Sequence, residues 1–315
     1  MAQQGNPFGS QGWTPERMQS VEGRTYVITG ANAGAGFEAT KLLAKHGAQV
    51  IMACRNAEKA NAAIGAIKGE LGDGAKLTFV ELDLGALAST REGAQRILAD
   101  VAKIDGLVCN AAIAQVAKQE LTPDGFESQL GVNHYGHFLL CGLLYERVKQ
   151  SSGRIVVVGS LGYQMGTKRV PFEDMNWDGK YNPMNAYSAS KLEQMVFAYE
   201  LQRRVGASGD SVQVHVCHPG AARTELSQEE ANLPTKILFK LMSPLAQSAE
   251  KGSWPEVLCL VENDLQPERF YGPTQRGNMV GIIGETELKE HALDRDVAAQ
   301  LWTLSEQATG LSWSP

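Results

Sequence analysis

Hydrophobic positions in this chain fall into short unbroken runs, separated by longer stretches in which they recur with helical period. Thr25-Tyr26-Val27-Ile28 is the first run, and comparable runs occupy 48–54, 76–82, 105–109, 153–160 and 212–217. Runs this short, rich in Val and Ile, read as strands. The run 153–160 is almost wholly apolar, as in a parallel strand covered on both faces. Between the runs, 37–46 places Ala39, Leu42, Leu43 and His46 on one helical face and closes at Gly47. Residues 57–70, 89–102, 126–148 and 187–204 read as further helices. Regular alternation of strand and helix predicts an α/β, doubly wound parallel sheet with its ligand site at the carboxyl ends of the strands. No repeat or linker divides the chain, so 21–315 reads as one domain and 1–20 as a loose N-terminal arm with one helix start, Trp13-Thr14-Pro15-Glu16. The pattern weakens after 221, where Pro234, Pro244 and Pro255 leave short helical pieces such as 236–242. A stretch of about 221–267 suits a substrate lid, with a plain surface excursion as the other reading. Phe270-Tyr271-Gly272-Pro273 reads as a final edge strand, and 285–307 as a helix with Leu293 and Asp294 near its middle.

Composition narrows the partners. The chain has 315 residues, 43% of them hydrophobic, enough for one large α/β domain or two small ones. A net charge of −6 offers no basic face to nucleic acid. Cys54, Cys109, Cys141, Cys217 and Cys259 are scattered, with no C-x-x-C pair, which supports neither a disulfide framework nor a zinc site. They read as small buried residues in a reducing compartment. The N-terminal stretch is polar and glycine-rich without a signal pattern, and no run of about 18 apolar residues appears, so a cytoplasmic protein is expected. His134, His137 and His215 lie on separate faces or elements without a carboxylate partner. They read as core or surface histidines, and no metal is expected.

The candidate chemistry lies at the strand ends. After the first strand comes Thr29-Gly30-Ala31-Asn32-Ala33-Gly34-Ala35-Gly36, a glycine turn into a helix. Such a turn lets a dinucleotide pyrophosphate approach bare backbone at a helix N-terminus. Its G-x-x-x-G-x-G spacing also fits a turn made glycine-rich for packing alone. Arg55 follows the second strand, and no Asp or Glu stands between Val50 and Ala57. A basic residue there suits the 2′-phosphate of NADP rather than a bare ribose; the other reading is a solvent-facing arginine. Asp83 ends the third strand, Asn110 the fourth, Ser160 the fifth, and Pro219-Gly220 follow the sixth. Tyr187 and Lys191 are four apart on a helix and share a face. A cation beside the phenol lowers its pKa and suits it to general acid–base work, and Ser160 could hold a substrate oxygen. Gly159-Ser160-Leu161-Gly162 is not a hydrolase elbow, because Val158 replaces the first glycine.

Taken in order, T-G-x-x-x-G-x-G, the Asp after strand three, N-A after strand four, a helical N-x-x-G, G-S, Y-x-x-x-K and P-G resemble the short-chain dehydrogenase/reductase family from about residue 22 to 310. The resemblance implies a Rossmann fold and reversible hydride transfer between nicotinamide and a carbonyl or alcohol. Gly30, Asn32, Gly34 and Gly36 then form the pyrophosphate turn, Asp83 with Leu84 the adenine contact, and Asn110 and Ala111 the segment beside the cofactor. Asn133 matches the residue that steadies a proton-relay water through the helix backbone. Ser160, Tyr187 and Lys191 match the catalytic triad of the family, Lys191 also bonding the nicotinamide ribose with Tyr187 beside it. Pro219, Gly220 and Thr224 match the segment that holds the carboxamide. Phe37, Ala35, Cys109 and Ala112 depart from the family pattern at packing positions. An insertion with Phe172-Glu173-Asp174-Met175-Asn176-Trp177 separates Ser160 from Tyr187, and together with Met52-Ala53-Cys54-Arg55-Asn56 looks like the retinol-dehydrogenase-like branch. Protochlorophyllide reductases share Cys109-Asn110-Ala111-Ala112 and Asn133-His134-Tyr135-Gly136-His137-Phe138. Met165, Phe172, Trp177 and Phe239 either line a hydrophobic pocket or pack ordinarily. The reading is an oxidoreductase using NADP(H), ahead of NAD(H), on a hydrophobic small molecule. The alternatives are a light-dependent protochlorophyllide-type C=C reductase and a non-catalytic NADP-binding sensor or scaffold. Substrate, direction and assembly into a homo-oligomer stay open.

Overall fold

The computed structural model describes residues 6–221 and 246–315. Eight strands form one sheet in the order β3-β2-β1-β4-β5-β6-β7-β8. They are β1 (Thr25–Thr29), β2 (Gln49–Cys54), β3 (Lys76–Glu81), β4 (Gly106–Cys109), β5 (Arg154–Val158), β6 (Gln213–Cys217), β7 (Phe270–Gln275) and β8 (Val280–Thr286). All neighbours pair in parallel except β7 and β8. The order reverses between β1 and β4, which makes the crevice at their carboxyl ends the switch point where ligands bind in such sheets.

The central strands are apolar on both faces because helices cover both. Val27, Leu107, Ile155 and Val157 pack with α3 (Leu87–Asp100), α5 (Gly136–Gln150), α6 (Pro183–Ser208) and α8 (Arg295–Thr309). Ile28, Val108, Val156 and Val158 face α1 (Gly34–Lys45), α2 (Ala57–Leu71) and α7 (Ala249–Val261). One-turn α4 (Ser128–Leu130) and a π-helical turn, Gly131–Tyr135, lead into α5.

The structure departs from the sequence reading at five places. The arm is not loose from Asn6 onward: Trp13 is fully buried, pairs antiparallel with Ile283 of β8, and donates its indole N–H to Glu262 Oε2 at 2.9 Å. Such a large apolar surface docks wherever an open strand edge offers backbone partners. β7 is not the edge, because Phe270 pairs with both Val216 and Thr286 and β8 lies outside it. The stretch 285–307 is not one helix: β8 runs to Thr286, and Asp294 caps α8 by accepting from the N–H groups of Asp296 and Val297. Helix α6 begins a turn before Tyr187, with Asn182 as its cap and Pro183 at its first position. The segment 249–261, the second half of the expected lid, is buried helix α7 packed on α1 and the sheet. Residues 222–245, with the short helical piece at 236–242, lie outside the described residues.

Candidate active site

The glycine turn is built by close approach. Gly30 (φ +65°) and Gly34 (φ +58°) take left-handed backbone. A Cβ on Gly30 would meet Ala111 at 3.0 Å, and one on Gly36 would meet Gly30 O at 2.9 Å and the Asn110 amide. Ala33 gives α1 no side-chain cap, so the first N–H groups of the helix remain turned toward any anion at the turn. Asn110 locks the turn from the next strand, its Nδ2 donating to Thr29 O at 2.7 Å and its backbone N–H to Thr29 Oγ1 at 2.9 Å. At Gly30, Gly34 and Gly36 the turn presents bare backbone.

Arg55 is exposed directly after β2 and forms no ion pair among the described residues. Beside the turn lies an open cleft of about 550 Å³, lined by Asn32, Gly34, Phe37, Lys59, Ala62 and Ala249. Lys59 escaped the sequence reading, since a lysine within a helix carries no signal until its neighbours are known. Asp83 turns its Oδ1 to the Gly85 N–H at 2.9 Å, and Leu84 is buried against Gly136. Gln247 donates to Pro219 O at 2.7 Å, and Gly220 (φ +67°) is pinned under Met279 and Pro273. Thr224 and Phe239 lie outside the described residues. Phe172 packs on the core, Trp177 sits at φ +61° in the insertion, and Met165 is exposed.

The catalytic candidates meet at the β5 end. Tyr187 donates its hydroxyl to Ser160 Oγ at 3.0 Å, and the same oxygen accepts from the Gly162 N–H at 3.0 Å. With both those contacts received, the Ser160 proton is left to donate to a substrate oxygen. Burial holds the Tyr187 pKa above the usual phenol value, and the Ser160 bond pulls it back in part. Lys191, one turn on and 2% exposed, donates to Val158 O at 3.0 Å and to Gln194 Oε1 at 2.9 Å. The i, i+4 spacing predicts its ammonium beside the phenol; the helix does place both on one face, but the ammonium is turned to these oxygens. Burial pulls Lys191 down to about 8, partly offset by neighbours that include Glu256. Glu256, on α7, is pushed up to about 8 by burial, and both its oxygens are unpartnered.

Asn133 is fully buried in the π turn. Its side chain accepts from the Ile113 N–H at 2.9 Å and donates to Ile113 O at 3.0 Å and Ser190 Oγ at 2.9 Å. Ser190 in turn donates to Tyr187 O at 2.9 Å. The glycine turn, Asn110 and Ser160 thus follow the neighbouring strands β1, β4 and β5, and Asn133, Tyr187 and Lys191 are bonded to the segments after β4 and at the end of β5.

The family profile described as short chain dehydrogenase matches residues 24–233. The chain belongs to the short-chain dehydrogenase family. It is 37% identical over 303 residues to retinol dehydrogenase 14 of Mus musculus, covering 92% of this chain and 87% of that protein. Retinol dehydrogenase 13 of Mus musculus is 36% identical over 299 residues, covering 93% and 86%. A solved structure of an uncharacterised protein from Mycobacterium paratuberculosis superposes with TM-score 0.78 at 36% identity, covering 96% of this chain and all of that one. Within the family the chain falls in the retinol-dehydrogenase-like branch, and it is an oxidoreductase acting on CH–OH or C=O groups. Among the described residues no helix is long and apolar enough to cross a membrane.

Proposed function

We propose that this oxidoreductase uses NADP(H) and acts on a hydrophobic alcohol or carbonyl compound, with Tyr187 as its general acid–base. The bond from the Tyr187 hydroxyl to Ser160 Oγ carries the reading, because it sets an ionisable proton beside a hydroxyl that can hold a substrate oxygen. The cofactor, when bound, supplies or accepts the hydride. Gly30, Asn32, Gly34 and Gly36 hold the pyrophosphate, and Asp83, Leu84, Asn110 and Ala111 line the adenosine side. Pro219, Gly220 and Thr224 hold the nicotinamide amide, and Lys191 the ribose beside Tyr187. Ser160 donates to the substrate oxygen while Tyr187 delivers or takes its proton. Lys191 keeps that side of the site cationic at neutral pH, since about 8 lies above it. Asn133 orders the backbone behind Tyr187 for proton resupply.

Arg55 supports the phosphate-bearing cofactor, with Asn32 and Lys59 lining the neighbouring cleft. Likeness to the retinol dehydrogenases supports a long apolar alcohol or aldehyde. The test is initial-rate oxidation of NADPH and NADH against a panel of apolar aldehydes and ketones, with Arg55→Asp alongside. The expected result is turnover with NADPH, and for Arg55→Asp a fall of at least about tenfold in the NADPH/NADH ratio of kcat/KM, the size of one lost charge-assisted bond. An unchanged ratio defeats the phosphate contact, and no turnover on the whole panel defeats the substrate class.

A further inference from the structure

His137 looked like a core histidine in sequence, and it is fully buried. Its surroundings are not those of an inert filler. The ring lies between the backbone of Asn133, at 3.0 Å from Nδ1 to the carbonyl oxygen, and the side chain of Thr29, at 3.0 Å from Nε2 to Oγ1. A carbonyl oxygen only accepts, so Nδ1 carries the hydrogen. Burial takes the His137 pKa down to about 4, so the ring is neutral and Nε2 keeps its lone pair. Thr29 therefore donates its hydroxyl to Nε2, with Val108 O, at 3.2 Å, as the longer alternative. Directing that proton to the ring leaves the Thr29 oxygen facing the N–H groups of Asn110 and Ala111, which donate at 2.9 and 3.0 Å.

We propose that His137 is a positioning residue that joins the two halves of the site, holding the proton-relay turn through Asn133 and the cofactor turn through Thr29. The chain of contacts runs from Thr29, which opens the glycine turn, through His137 to Asn133, and then through Ser190 to Tyr187. Each link is a hydrogen bond between buried or half-buried groups, where an unmet partner costs most. Loss of the ring frees the Thr29 proton to swing to Val108 O and leaves the Asn133 carbonyl without its side-chain donor. The first change loosens Asn110 and Ala111 against Gly30; the second loosens the turn beside Tyr187. One substitution thus acts on dinucleotide affinity and on turnover together. The inference rests on the functional reading above, and its test separates the two.

The first measurement needs no cofactor: long-range ¹⁵N NMR of the imidazole. The expected result is a neutral ring protonated at Nδ1 with bare Nε2. A ring protonated at Nε2 overturns the proposal. The second compares His137→Leu with His137→Gln, whose amide can restore one of the two bonds. NADPH affinity is read by fluorescence titration, and kcat with a substrate from the panel. Leu is expected to weaken NADPH binding and to lower kcat by about tenfold each, the scale of one buried hydrogen bond. Gln should recover most of one of the two. A folded His137→Leu with lowered Tm and unchanged Kd and kcat overturns the proposal, because a merely structural residue moves only the first. If the Leu variant does not fold, the cycle Thr29→Val, His137→Gln decides: non-additive effects on unfolding free energy support the link, and additive effects overturn it. A wild-type chain that binds neither NADPH nor NADH defeats the functional proposal alone, since the tautomer and the stability cycle still report on the network.

Discussion

Tyr187 and Glu193 are six residues apart on the same helix, and burial raises the pKa of both, with opposite consequences. For Tyr187, in the acid–base role proposed above, the raised value keeps the proton in place until a substrate oxygen takes it. Tyr187→Phe is expected to lower kcat by about 10²–10⁴, the range of a lost general acid, while leaving the NADPH Kd unchanged in a fluorescence titration. Glu193 has no comparable use. It is pushed up to about 8 by burial, then by the Glu127 charge, and its Oε2 is unpartnered. A carboxyl whose folded pKa is raised contributes stability that is fully present below about 4.5 and lost as pH rises through about 8. Glu193→Gln should therefore match wild type in urea unfolding near pH 4.5 and exceed it near pH 8.5. Equal gains at both pH values would refute the buried-ionisation account. Neither carboxylate nor its cost was legible in sequence, because a Glu inside Ser190-Lys191-Leu192-Glu193-Gln194 looks like any solvated helix position. Tyr187, Ser160 and Lys191 stood out in sequence as candidates because they recur in order with the glycine turn and the other strand-end residues, and the structure brings Tyr187 and Ser160 into one hydrogen bond. The direction of the Lys191 ammonium was not, since it depends on where Val158 O and Gln194 fall in space.

At the scale of elements, α6 carries Tyr187 and Lys191, the proposed acid–base pair, and its start sets their height above the β5 end. Asn182 caps it by accepting from the Asn185 N–H at 3.0 Å. Asn182→Ala is expected to cost about 1 kcal/mol by denaturant unfolding, with a fall in kcat only if the first turn frays as far as Tyr187. The helix was legible, but its first turn was not, because Asn182-Pro183 reads equally as turn chemistry until a helix is known to follow. The π turn at Gly131–Tyr135 was invisible for a related reason. Residues 126–148 keep an unbroken apolar period, and one extra residue in a turn shifts that period by less than the scatter of side-chain types. The long helix-like pattern at 285–307 hid the opposite error, for β8 is half-exposed and its alternation is weak.

Across the whole molecule, the N-terminal arm closes the antiparallel edge of the sheet. Trp13 bonds to Ile283 and Glu262 and is wholly enclosed. Trp13→Ala is expected to cost about 3–5 kcal/mol, the range for a large buried aromatic, read by urea unfolding, and to expose β8 as an open edge. A loss under about 1 kcal/mol would show the arm to be dispensable. The sequence alone determined the parallel α/β plan, the glycine turn, and the strand ends at which the candidate residues stand. Those features follow from local periodicity and from backbone demands that few residue types meet. Only the tertiary structure decided which way Lys191 points, that Trp13 belongs to the core, and that His137 lies between Thr29 and Asn133. Each of these is a contact between residues far apart in the chain, and its energy exists only once the sheet has brought them together.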